Sequence, residues 1–322
     1  MKLSGFTFLR NTSKLYYPIL ESIQSALPIV DEFVIALGKG DIDDDSEAKI
    51  RSLQSDKIKI IHTVWDTEKY PRGMEHAHQT DLAKEACSGD WLLYLQGDEL
   101  IHEHDYDEIT TKCKRYLNDT SVEGFLFNYY HFYGDYDHYF RDHCWYPYEI
   151  RIVRNDPEIH SFESAQSFRR IPNFDGLSYR NKEGTSKLHV IKLNASIYHY
   201  GWVRPPKLMR KKRLYFSNTH RGSKATKEEY KKYAEEYDYG RIDYCLTFKQ
   251  SHPKYMKDKI AELDWQPSLR FSGANVIGRP EAKHEQPKYR FIIWVERTFF
   301  GGRVLGGHKN YKELNSNTFP NR

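Results

Sequence analysis

The sequence predicts an α/β fold: a mostly parallel sheet flanked by helices, followed by a helical C-terminal extension. Three observations predict it. Apolar runs of strand length alternate with helix-period segments through the first hundred residues. The connections between them are short, which places consecutive strands parallel with helices on the sheet faces. From Pro205 onward the composition turns basic and helix-like, in "KLMRKKRLYF" and "KEEYKKYAEEYDYG". The expected division is residues 1–204 and residues 205–322.

Each element has its own justification. Residues 3–9, "LSGFTFL", read as a strand, followed by the polar turn "RNTSK". Leu15, Ile19, Ile23 and Leu27 recur every four residues, a helical stripe in which Pro18 is tolerated only near the first turn. Residues 31–38, "DEFVIALG", form a second apolar strand. The Gly- and Asp-rich loop "GKGDIDDDS" follows, and Ser46 is the expected cap of the helix over 47–54. "KIKIIHTVW" is a third strand, and 74–87 a helix with Leu82, Ala83 and Ala86 turned inward. "DWLLYLQ" is the fourth strand. After residue 100 the alternation fades into strand-like stretches at 123–134, 148–155 and 187–202.

The composition narrows the function. Lys and Arg total 49 against 45 acids, a net +4 that is too mild for bulk nucleic-acid binding. The four cysteines, Cys87, Cys113, Cys144 and Cys245, form no CxxC pair, so neither a zinc ribbon nor a disulfide framework is expected, and a reducing, cytoplasmic setting fits. No apolar leader opens the chain, and no window holds 18 consecutive apolar residues. Aromatic residues are 15% of the chain, a content that suits flat, amphipathic contact with sugars and equally suits a large core.

In open α/β sheets ligands bind beyond the carboxyl ends of the strands. The loops expected there are 10–14, 38–46, 66–73 and 96–99. The last is the most informative. In "GDWLLYLQGDELI" a buried strand runs directly into Asp98 and Glu99, and carboxylates at the edge of a core need a metal, a base or a cationic ligand. Read alone, the pair equally ends a strand and caps the helix after it.

The stretches "FTFLRN", "DEFVIALGKGDIDDDS" and "GMEHAHQTDLAKEACSGDWLLYLQGDE" resemble glycosyltransferase family 2, the inverting transferases of GT-A fold. "YEIRIVRN", "IHSFES" and "YHYGW" match more weakly and in the same order, so the resemblance covers about residues 1–204. It implies transfer of a sugar from a nucleoside-diphosphate-sugar, a UDP-sugar first, to a hydroxyl of a glycan or lipid-linked acceptor, as in polysaccharide biosynthesis. Mn²⁺ or Mg²⁺ is the implied cofactor, because hard cations bridge carboxylates and phosphates. The chain departs from the Asp-x-Asp pattern at Gln96, an amide that still hydrogen bonds a ribose hydroxyl.

By this resemblance Asp98 is the metal ligand and Glu99 either supports the metal site from behind or faces the acceptor, while His199 completes the coordination or touches the diphosphate. Arg204 and Lys207 neutralise the departing diphosphate. Glu163 takes the acceptor proton, with His160 orienting it; Asp135, Asp142 and Asp175 are the alternative bases. Phe8, Arg10 and Asp66 lie at strand ends where the base and ribose would rest. A non-catalytic nucleotide- or carbohydrate-binding protein of the same fold is the rival reading, supported by Gln96. A nucleotidyltransferase ranks below it, because the first loop "RNTSK" has no glycine.

Bland readings are preferred elsewhere. Asp43, Asp44 and Asp45 lack EF-hand spacing and read as a solvated, helix-capping loop. His76 and His78 do not share a helix face. The apolar, basic-flanked stretch 290–303 reads as a core helix, with peripheral contact at a membrane surface as the alternative.

Overall fold

A computed structural model describes residues 1–221, 230–273, 279–307 and 309–314. The chain divides into two compact units. The first comprises Met1–Asn128, Tyr148–Ile197 and Lys309–Arg322, and the second Tyr129–Pro147 and Tyr198–His308. Residue 204, where the composition changes, falls inside the second unit.

In the first unit, strands β1 (Leu3–Leu9), β2 (Glu32–Gly38), β3 (Ile58–Thr63) and β4 (Trp91–Tyr94) are parallel, in the order β3-β2-β1-β4. β2 is buried along its whole length, as expected of a near-continuous apolar run covered on both faces. β3 is the edge strand and keeps Lys59 and His62 exposed, charge that discourages edge-to-edge pairing.

Beyond β4 the sheet turns antiparallel. After β5 (Glu99–Ile101) come β6 (Gly124–Tyr133), β7 (His138–Phe140), β8 (Tyr148–Arg154), β9 (Ile159–Phe162), β10 (Ser167–Arg170) and β11 (Ser186–Trp202). β8 pairs antiparallel with β4 and with β6, whose register shifts at Phe125/Leu126. β9 and β10 form a hairpin in which Ser167 opposes Phe162. The sheet is therefore mixed, and its parallel part is the segment where strands and helices alternate in sequence.

Helices α1 (Ile19–Ala26), α2 (Ser46–Arg51), α3 (Met74–Glu85) and α4 (Tyr106–Arg115) belong to this unit. The helical stripe begins at Ile19 rather than Leu15, because Leu15 closes a separate 3-10 turn and Pro18 stands before the helix. Ser46 is the first residue of α2 rather than its cap; its hydroxyl bonds the Asp44 carboxylate at 2.6 Å and pairs with Thr12 at 2.8 Å. On α3 the inward face is polar: Glu75, His76, Gln79, Thr80, Asp81 and Lys84 are buried, whereas Leu82 is half-buried and Ala86 exposed. Each buried polar group has to find a partner there, and these partners organise the site.

The second unit holds the far ends of β6 and β11, β7, the two-residue strand β12 (Leu246–Thr247), and helices α5 (Pro206–Arg221), α6 (Lys257–Ala261) and α7 (Pro287–Phe299). Among the described residues this unit also holds single 3-10 turns at Ile242–Tyr244, Lys254–Met256, Gln266–Ser268 and Lys283–Glu285. Its core is aromatic, with Phe132, Tyr133, Phe140 and Tyr200 all buried. α7 is not the core helix expected over 290–303: Ile293 and Glu296 are its buried positions, and several of its aromatic side chains face solvent. Strand β13 (Tyr311–Glu313) returns to the first unit and pairs parallel with β11. Among the described residues no helix is long and apolar enough to cross a membrane, and all four cysteines are free thiols.

Candidate active site

The carboxyl ends of β1 and β3 carry an aromatic cluster. Phe8 is stacked against His76 of α3, with centroids 5.4 Å apart and planes 19° apart, and lies 5.9 Å from Trp65. Trp65 meets His76 edge-on at 5.3 Å. The Arg10 guanidinium sits over the Trp65 ring at 5.2 Å, held by a 3.0 Å bond from Nε to the Lys39 carbonyl. A Cβ at Gly38 would run into Trp65 Nε1, so glycine there is what admits the indole. That buried indole N–H has no hydrogen-bond acceptor among the described residues.

A polar chain backs the cluster. Glu75 accepts the Asp66 backbone N–H at 3.1 Å and the Gln79 side-chain amide at 2.7 Å, and Gln79 in turn accepts the Thr63 hydroxyl at 2.5 Å. Burial raises the Glu75 carboxyl above its ordinary pKa, against the lowering effect of those hydrogen bonds. The Asp66 carboxylate accepts the Lys69 N–H at 2.9 Å, so it shapes the turn into α3 while its residue stays exposed. The neighbouring acidic loop is tied down rather than poised for a metal: Lys14 pairs with Asp41 at 2.8 Å and Asp43 at 2.6 Å.

At the end of β4, Asp98 is 5% exposed. Glu99 is fully buried in a two-point ion pair with Arg151, at 2.8 and 2.9 Å. It is therefore the counter-ion of a buried guanidinium and does not face an acceptor. Gln96, the amide expected on a ribose, donates its Nε2 to the Ala165 carbonyl at 3.0 Å and so holds the β9–β10 turn. Arg151 donates to the next carbonyl, that of Gln166, at 3.1 Å. Two side chains thus anchor the turn by its backbone.

Glu163 opens that turn. It is half-buried with φ 59°, and its N–H donates to the Tyr179 carbonyl at 2.8 Å. Ala165 also has positive φ, 61°. His160 does not orient Glu163: its Nδ1 lies 2.9 Å from the Asp81 carboxylate, which also accepts the Ser161 N–H at 2.8 Å. Asp175, an alternative base, accepts the Ser178 hydroxyl and two backbone N–H groups in an exposed turn.

The remaining candidates belong to the second unit. His199 is buried with its Nδ1 2.9 Å from Nδ1 of His131, whose Nε2 donates to the Tyr146 carbonyl at 2.8 Å. For a neutral pair this order makes His131 Nδ1 the acceptor and His199 Nδ1–H the donor, and His199 Nε2 then carries the lone pair. Arg204 is fully buried, and its carbonyl accepts the Tyr239 hydroxyl at 2.7 Å. Lys207 is exposed and 3.6 Å from Glu236, a surface ion pair. Asp135 is engaged by His138 at 2.9 Å, and Asp142 faces Arg297 at 3.5 Å.

Among the described residues no group of three or more His, Cys, Asp or Glu is arranged to hold a metal. A cage built from protein alone does not fit. A single carboxylate such as Asp98 fits a hard cation that takes its other ligands from water and phosphate. Sequence reasoning missed Trp65, Glu75 and His76. An aromatic residue just beyond a strand's carboxyl end and an acid on an otherwise inward helix face were the available signals.

No family model matches the chain, and no curated protein is similar to it. Among solved structures, glucosyl-3-phosphoglycerate synthase from Mycobacterium tuberculosis, in complex with Mn²⁺, UDP and phosphoglyceric acid, is 15% identical over 40% of this chain and 43% of that chain, with a TM-score of 0.27. The chain thus spans less than half of that synthase's length. S. aureus TarS 1-349 in complex with UDP is 13% identical over 70% of this chain and 68% of that chain, with a TM-score of 0.38. Likenesses this distant carry no functional argument.

Proposed function

We propose that the chain is a glycosyltransferase that moves a sugar from a nucleoside-diphosphate-sugar, UDP-linked first, to a hydroxyl of a glycan or lipid-linked acceptor, with inversion. The observation that carries this reading is the Phe8–Trp65–Arg10 cradle at the carboxyl ends of the parallel strands. It sets two partly exposed aromatic rings beside a fixed cation, features that suit a base joined to phosphates.

In this reading the planar base rests against Phe8 and Trp65, with Arg10 and Asp66 at its ribose side. Asp98 is the residue that would hold Mn²⁺ or Mg²⁺; the ion would offset the charge of the departing diphosphate. The acceptor oxygen forms the new bond to the anomeric carbon, and the bond to phosphate breaks with its electron pair leaving on the diphosphate. Glu163 accepts the acceptor's proton. Gln96 and Arg151 hold the turn that carries Glu163.

Calorimetry with UDP, with and without Mn²⁺, tests the reading on the wild type, Trp65→Ala and Asp98→Ala. Expected are binding that Trp65→Ala weakens, and a Mn²⁺ dependence that Asp98→Ala removes. Absence of UDP binding by the wild type overturns the donor site. The rival, a binding protein without turnover, is favoured by one observation: the Glu99 carboxylate is tied to Arg151 and position 96 has none, which leaves Asp98 as the sole carboxylate of the motif for a cation. Donor binding without hydrolysis or transfer to any acceptor would establish it.

A further inference from the structure

α7 turns an apolar face to solvent. Phe291 is 64% exposed, Trp294 53% and Phe299 66%, and Phe300, just past the helix end, is 48% exposed. Phe291 and Trp294 are one turn apart with ring centroids at 5.9 Å, and Trp294 meets Phe299 at 5.8 Å, so the three rings form one continuous patch. Isolated apolar side chains are common on protein surfaces; a contiguous aromatic patch marks an interaction site.

Along the segment that carries the patch the exposed charge has one sign, and the exposed carboxylate beside Tyr244, Asp243, is paired with Arg241 at 2.6 Å. From Lys283 to Arg303 the sequence holds five basic residues and two acids. Both acids are engaged internally. Glu285 pairs with Arg279 at 2.8 Å. Glu296 is 2% exposed and accepts the Leu305 N–H at 2.8 Å, with His143 Nδ1 at 2.9 Å. Lys283, Lys288 and Arg303 remain exposed; the exposed carboxylate nearest in sequence, Glu281, lies before the segment. At 13 residues the helix is about 20 Å long, too short to span a bilayer.

We propose that α7 lies in the plane of an anionic lipid surface, with Phe291, Trp294, Phe299 and Phe300 below the headgroups and Lys288 and Arg303 at the level of the phosphates. An aromatic face with cationic flanks is what an interfacial helix needs: apolar area gives the insertion energy and basic side chains reach back to the headgroups. A second copy of the chain is the poorer occupant, because apposing two such faces brings two basic rims together. All of these residues lie in the second unit, so the inference stands apart from the donor site.

The test is co-sedimentation of the full chain with phosphatidylcholine vesicles, with and without phosphatidylglycerol, for the wild type and a Phe291→Ser/Trp294→Ser/Phe299→Ser variant. The substituted side chains are exposed, so an unchanged thermal melt is the folding control. Expected is binding to the phosphatidylglycerol vesicles that high salt weakens and that the variant reduces at least about tenfold. No binding by the wild type, equal binding by the variant, or equal binding to neutral vesicles overturns the proposal. So does light scattering that shows, without lipid, a wild-type dimer that the variant fails to form.

Discussion

The side-chain amide of Gln96 donates to the carbonyl of Ala165 at 3.0 Å, joining the end of a parallel strand to the turn that begins with Glu163. A carboxylate cannot make this bond, because ionised aspartate only accepts. Gln96→Asp is therefore expected to loosen the turn and cost about 1–2 kcal/mol. Urea denaturation of the wild type and Gln96→Asp would measure it, and equal midpoints would show the bond to be dispensable.

The buried pair Glu99–Arg151 is expected to be costly to break one side at a time. Arg151→Met leaves a carboxylate with 0% side-chain exposure and should lose roughly 3–5 kcal/mol, whereas Glu99→Leu with Arg151→Met should recover much of that loss. A double-mutant cycle followed by denaturant unfolding separates the two outcomes.

Glu163 has φ 59°, a conformation that glycine adopts without steric penalty. Glu163→Gly should raise stability by up to about 1 kcal/mol while removing the proposed base. Glu163→Gln should leave stability near the wild type and abolish sugar transfer equally. Transfer assays beside thermal melts check both, and retained transfer in Glu163→Gln would move the base assignment to another carboxylate.

Gly38→Ala should disturb the donor cradle from behind, since the added carbon meets Trp65. UDP affinity is expected to fall about tenfold or more in Gly38→Ala and in Trp65→Ala, in keeping with about 1–3 kcal/mol for one base stacked on an aromatic ring. Calorimetry gives the comparison directly.

His284 supplies a pH dependence. Burial lowers its pKa from 6.5 to about 4, with Glu285 acting in the opposite direction and Arg279 reinforcing the shift. Its ring lies 4.3 Å from Phe140 and 5.5 Å from Tyr133. The unfolded chain therefore binds a proton between these pH values that the folded chain does not. Stability from this group is complete above pH 6.5 and falls as pH drops toward 4, by about 3 kcal/mol in all. Replacing His284 with Phe should flatten that part of the profile in melts recorded across the same range.

The strands were readable where burial is uniform. The apolar runs read at 3–9 and 31–38 correspond to Leu3–Leu9 and Glu32–Gly38, because a strand covered on both faces has to be apolar throughout. α3 was readable as a helix but its inward face was not. Glu75 and Gln79 are buried through a bond to each other and bonds to Asp66 and Thr63, and Asp81 through a bond to Ser161, partners outside the helix that its apolar period does not encode. The division into units was hidden for a related reason: β6 and β11 each contribute to both, and an unbroken strand gives no compositional boundary. At the site, the strand-to-Asp98 element stood out, whereas the partners of Gln96 and Glu99, Ala165 on the β9–β10 turn and Arg151 on β8, became visible only when those strands were placed.

Because Gln96 and Arg151 grip the 163–166 turn through main-chain oxygens, these anchors do not depend on which side chains the turn displays. A loop moulded this way can change its chemistry at one position and keep its outline. Selection for a different acceptor could then act on residues 164 and 166 without refolding the strands beneath them or replacing Glu163.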